Sequence, residues 1–203
     1  PAGMERVQER WAAMHTPGSV SMLRSNLGAN EASGTIQVER RLWWRKPDCW
    51  RDEQQMEGHG KSVTVLCDAD WWMLGSTGAL LTSRMPGAHG NPSPLEDLVR
   101  GVPLLDPSFL LASHKLAPVG ETMHAGRMAV RVQATYQKNR DLLHEGFFWA
   151  TADAYDLLVD QEYGILLRYA ALLDGQEFAV CDVEQVVFDE AIPDAIFAFP
   201  PVS

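Results

Sequence analysis

Six histidines, at positions 15, 59, 89, 114, 124 and 144, are the side chains best suited to hold a metal or move a proton near neutral pH. None pairs with another at i, i+4, and none has the spacing of a zinc motif, so no metal site is expected. Gly58-His59-Gly60 joins two strand-like segments, which leaves no helix N-terminus there to hold a phosphate. Gly75-Ser76-Thr77-Gly78 lacks the Gly-x-Ser-x-Gly form of a nucleophile elbow. Asn91-Pro92-Ser93 carries proline at the middle position, which a glycosylation acceptor excludes. The acids Asp68 with Asp70, Asp189 with Glu190, and Asp153, Asp156 and Asp160 fall at strand ends and turns, where solvated carboxylates are ordinary. No catalytic residue, cofactor or metal is assigned, and the chain reads as a binding protein rather than an enzyme.

The remaining chemistry is apolar. The 203 residues include seven Trp and eight Met, with Trp43-Trp44, Trp50, Trp71-Trp72 and Trp149 prominent. Large rings fill cores, and with flexible Met side chains they also line cavities for apolar ligands of variable shape. Both uses are compatible with the sequence. Seventeen Lys plus Arg against twenty-seven Asp plus Glu give a net charge of -10, which disfavours nucleic acid and anionic membrane surfaces as partners. No apolar run reaches the roughly 18 residues of an integral membrane span.

The elements that would position these rings are mostly strands. Residues 4–14 carry Val7, Trp11 and Met14 at helical spacing, and a second short helical or irregular piece covers Val20 to Leu27. Alternating, β-favouring segments follow at 35–44, 50–56, 62–67 and 71–74, with connections too short for parallel crossovers. Residues 75–94, rich in Gly and Pro, read as a long loop, and helical pieces begin at Pro94 and Asp106. Further strands are expected at 116–122, 127–136, 147–151, 155–160, 166–173 and 177–188, with Asp174-Gly175 a strong hairpin signal. A short turn over Ile192 to Phe197 closes the chain.

Several of these segments, in this order, resemble the LolA-like superfamily, carriers of lipoproteins and lipids. They are Trp44-Arg45-Lys46-Pro47-Asp48-Cys49-Trp50-Arg51, then Val65 to Trp72, Asp160 to Arg168, Asp174-Gly175, Val183 to Phe188, and Ile192 to Phe199. The resemblance implies an open half-barrel capped by helices, with an apolar cavity that holds acyl chains. The expected fold is therefore α+β, a single domain over residues 4–203. A curved, largely antiparallel sheet of about ten strands would be covered by the N-terminal helix and a helical insert near 94–112.

The ligand would be a hydrophobic small molecule or acyl chain, bound at Trp43, Trp44, Trp72, Met73, Leu105, Phe109, Met128, Val130, Trp149 and Leu157. Period two puts one Trp of each adjacent pair toward the cavity and the other outward, under a loop or a protein partner at the rim. A regulatory interaction module with a closed cavity, and an enzyme acting on an apolar small molecule, are the alternative functions. Cys49, Cys67 and Cys181 form an odd set in strand-like stretches, so three reduced thiols are expected. With no apolar leader in Glu5 to Arg10, this resembles a leaderless variant and points to a cytoplasmic protein. Pro1-Ala2-Gly3 before Met4 reads as a cloning remnant, and a leader lost in cloning would instead make the protein exported.

Overall fold

Two meanders account for the fold, joined by pairing of the first strand with the last. The computed structural model describes residues 19–31, 34–45, 49–67, 70–84, 102–105, 107, 110, 114–136 and 152–199. Its strands are β1 (Ser19–Glu31), β2 (Gly34–Arg45), β3 (Cys49–Met56), β4 (Gly60–Cys67), β5 (Asp70–Leu74), β6 (Leu80–Arg84), β7 (His114–His124), β8 (Arg127–Tyr136), β9 (Ala154–Asp160), β10 (Leu166–Leu173) and β11 (Gln176–Phe188). They form one 11-stranded sheet in the order β6-β5-β4-β3-β2-β1-β11-β10-β9-β8-β7, with every neighbouring pair antiparallel.

This corrects the α+β expectation. The described chain is nearly all β, and it contains no helix of seven or more residues. Of the helical insert, the described part is the four-residue α1 (Val102–Leu105), whose Leu104 packs into the core with Leu110. The N-terminal helix expected over 4–14 and the strand expected over 147–151 lie outside the described residues. Val20 to Leu27, read as helical or irregular, belongs to β1. Its Ser, Asn and Gly residues are poor strand formers, and pairing with β2 on one side and β11 on the other overrides that preference. Leu80–Arg84, placed in a loop by its Gly- and Pro-rich surroundings, extends the sheet beyond β5.

Local turn chemistry fixes the hairpins. Asp174 and Gly175 have φ of 50° and 76°, the conformation a two-residue hairpin turn needs, and they bring Leu173 opposite Gln176. The β1–β11 junction has no short turn to set it. Instead, Ser19 N donates to Asp189 Oδ1 at 2.9 Å across a sequence separation of 170, and Asp189 N returns a bond to Ser19 O at 3.1 Å.

The cysteines also depart from expectation. Trp50 pairs with Leu66, so the next register position sets Cys49 beside Cys67, and the two form a disulfide. Cys181 is the free, buried thiol. Alkylation of the denatured chain should label one of the three cysteines without reductant and all three after reduction. Full labelling without reductant would contradict the pairing.

Candidate ligand-binding face

Strand alternation divides the side chains between two faces, and register aligns them into rows across the sheet. On the face that carries the main core, one row runs Trp44, Trp50, Leu66, Trp71 from β2 to β5. The adjacent row is Leu23, Leu42, Asp52, Thr64, Met73, Leu81. Another continues across the far half of the sheet through Val132, Leu157, Tyr169, Cys181, Leu27 and Val38. Leu157 is fully buried at its centre, and Trp50 lies within the same core. Trp44, Leu66, Trp71 and Met73 are half-buried, and Leu81 on edge strand β6 is 51% exposed. The face thus keeps accessible apolar surface toward β5 and β6.

A charged pair interrupts it. Arg40 donates from Nε to Asp52 Oδ1 at 2.8 Å and from Nη2 to Oδ2 at 2.6 Å, and the two side chains are only 10% and 1% exposed. Gln54 Nε2 adds a bond to Asp52 Oδ2 at 2.8 Å. Burial disfavours the Arg40 charge, but the Asp52 carboxylate more than offsets it and holds the guanidinium above its ordinary proton affinity. Burial also pushes the neighbouring Cys181 thiol up to about 11, with Arg40 and Ser25 pulling the other way. Arg40, Asp52 and Gln54 were not singled out as site residues from the sequence. The available signal was a charge at a core-face position in each of two adjacent strands.

The opposite face carries the row Trp43, Arg51, Val65, Trp72. The Arg51 guanidinium lies 6.0 Å from the Trp43 ring and 5.8 Å from Trp72, within cation–π reach. The chain's own terminal segment roofs this row. Arg51 Nη1 donates to Ile196 O at 2.8 Å, the Phe199 ring meets Trp72 edge-on at 5.9 Å, and Ile192 and Phe197 pack with Cys49, Val63, Val65 and Trp72. The structure therefore sends Trp44 and Trp71 to the core face and Trp43 and Trp72 to the other. Sequence reasoning supplied the split of each pair, but not which ring went where.

Among the remaining expected positions, Met73 joins the core face beside Trp71, Leu105 on α1 packs against the main core, and Val130 is half-buried there. Met128 is 44% exposed at the β7–β8 hairpin, opposite Met123 at 59%. Phe109 and Trp149 lie outside the described residues. Elsewhere the second face is a charge ladder, including Arg24 with Glu184, Arg131 with Asp156 and Arg168 with Glu177. Asp156 and Asp160, expected as solvated acids, are buried against Arg131 and Arg127 instead. Among the described residues no group of three or more His, Cys, Asp or Glu could hold a metal ion. No helix there is long and apolar enough to cross a membrane.

No family model and no curated protein matches the chain. Solved structures do. The crystal structure of MucB aligns over 99% of this chain with a TM-score of 0.60 and 19% identity. LprF from Mycobacterium bovis aligns over 95% of this chain and 96% of its own, with a TM-score of 0.53 and 12% identity. The chain has a LolA-like fold. The LolA-like resemblance read from the sequence therefore holds for the open antiparallel sheet. The Pseudomonas aeruginosa MucA/MucB complex aligns as well, over 95% of this chain, with a TM-score of 0.56 and 20% identity. This chain spans 64% of the MucB chain and 59% of the one in that complex.

Proposed function

We propose that this protein is a non-catalytic carrier that binds a hydrophobic ligand, an acyl chain or lipid-like molecule, on the core face of its sheet. The row Trp44, Trp50, Leu66, Trp71 carries this reading. Three inter-strand steps make an apolar strip about 14 Å long, flanked by Met73 and Leu81. A chain laid along it gains about 0.8 kcal/mol per buried methylene. The LolA-like fold supports the same reading.

Titration of the protein with a long-chain fatty acid should quench Trp fluorescence. Trp44→Ala and Trp71→Ala should each weaken binding by about 1–2 kcal/mol, roughly tenfold. Unquenched fluorescence together with a ligand-free mass in native spectrometry would remove the carrier reading.

A protein partner is the second reading, favoured by a different observation. Val119, Met123 and Met128 are 54%, 59% and 44% exposed along the β7–β8 hairpin, apolar surface that a partner could cover. MucB itself is found in complex with MucA. Met123→Ser with Met128→Ser would weaken partner capture under this reading and leave fatty-acid titration unchanged. The Cys49–Cys67 disulfide supports an oxidising compartment over a reducing one.

A further inference from the structure

The Cys49–Cys67 disulfide, Arg45 and the terminal segment form one connected unit on the second face. Cys49 is buried, while Cys67 at the end of β4 is half-buried, the less buried of the two. Arg45 touches both neighbours of interest. Its Nη2 lies 3.9 Å from Cys49 Sγ, and its Nη1 donates to Asp194 Oδ1 at 2.7 Å and to Ile192 O at 3.4 Å. The same guanidinium sits over the Phe197 ring at 4.9 Å. Ile192 and Phe197 in turn pack in the cluster that contains Cys49.

We propose that this disulfide is a redox switch for the docking of residues 190–199, with Arg45 as the positioning residue that couples the two. A thiolate of an external dithiol attacks Cys67 Sγ, the sulfur–sulfur bond breaks, and Cys49 departs as a thiolate. The reductant's second thiol then displaces Cys67, so the reductant supplies two electrons and two protons and leaves as a disulfide. A positive guanidinium beside the departing sulfur stabilises the charge that develops there, and a better leaving thiolate is displaced faster. The new Cys49 anion then competes with the Asp194 carboxylate and the Ile192 carbonyl for Arg45. The carboxylate is 91% solvent-exposed and loses little on release. Undocking of the segment uncovers Trp43, Arg51 and Trp72, an aromatic and basic surface that the oxidised protein hides.

Hydrogen exchange followed by mass spectrometry on the full chain tests this, in dithiothreitol buffers of graded redox ratio at pH 8. The amides of Ile196, Phe197 and Ala198, bonded to Pro193 O, Asp194 O and Ala195 O, report the segment. Reduction should speed their exchange about tenfold and leave β8 to β10 unchanged. Arg45→Gln should require about tenfold more reducing buffer to reach the midpoint. Cys49→Ser with Cys67→Ser should leave the sheet folded and remove the redox dependence of exchange. Equal protection of residues 196–198 in both redox states would overturn the proposal. So would a midpoint unchanged in Arg45→Gln, or loosening of the whole sheet on reduction.

Discussion

Replacing Asp52 by alanine is expected to cost about 3–5 kcal/mol of folding stability, the largest effect of any single substitution considered. Arg40 lies under the core face of β2 with both of its strong bonds made to that one carboxylate. Removing the carboxylate leaves a guanidinium out of water with no counter-charge, and it also takes the acceptor used by Gln54. The attraction within the pair largely offsets the cost of desolvating both charges. Replacing both partners with apolar residues of similar size, Arg40→Met with Asp52→Leu, should therefore cost far less than the single change. Urea unfolding of the three proteins at pH 7 measures this. Equal losses in the single and double variants would show that the pair's charge is not what the fold depends on.

The second large effect is a loss of stability in acid, centred on His114. Its imidazole is buried at the start of β7, with the Tyr136 ring 4.4 Å away and the Tyr155 ring 5.4 Å away, and the two phenol oxygens lie 2.8 Å apart. Burial lowers the His114 pKa from 6.5 to about 4. The folded state therefore resists a proton that the unfolded chain accepts. Stability from this source is complete above pH 6.5 and is lost as the pH falls toward 4, by about 3 kcal/mol in all. His114→Phe should abolish this loss, so the wild type should lose about 3 kcal/mol relative to the variant between those limits, with the carboxylate contributions left in place. Wild type and variant curves that stay parallel from pH 6.5 to 4 would exclude His114 as the source.

Much of the architecture was legible because strands announce themselves locally. Alternation in β2, β3 and β8, together with the Gly58-His59-Gly60 and Asp174-Gly175 turns, gave hairpins with defined partners. β1 was missed because its residues have weak strand preference, and its partners in β11 lie 150 to 168 positions away. The disulfide was within reach of the sequence. Cys49 and Cys67 lie equally far from Gly58, so the hairpin already assigned there implied their pairing. Counting cysteines and looking for C-x-x-C discarded that information. The Arg40–Asp52 pair was likewise implicit in the alternation of β2 and β3, where each charge shares a face with a tryptophan.

By itself, the sequence determined an acidic chain of antiparallel hairpins and a split of each Trp pair between two faces. Those properties follow from side-chain type, period two and turn chemistry, all of which act over a few residues. Which face became the core was decided only by tertiary structure. Docking of Ile192, Phe197 and Phe199 over Trp43 and Trp72 joins parts of the chain more than a hundred residues apart. That contact closes one tryptophan row under residues 192–199 and leaves Trp44 and Trp71 on the core face. Period two can set two rings on opposite sides of a sheet, but only packing can say which side is covered.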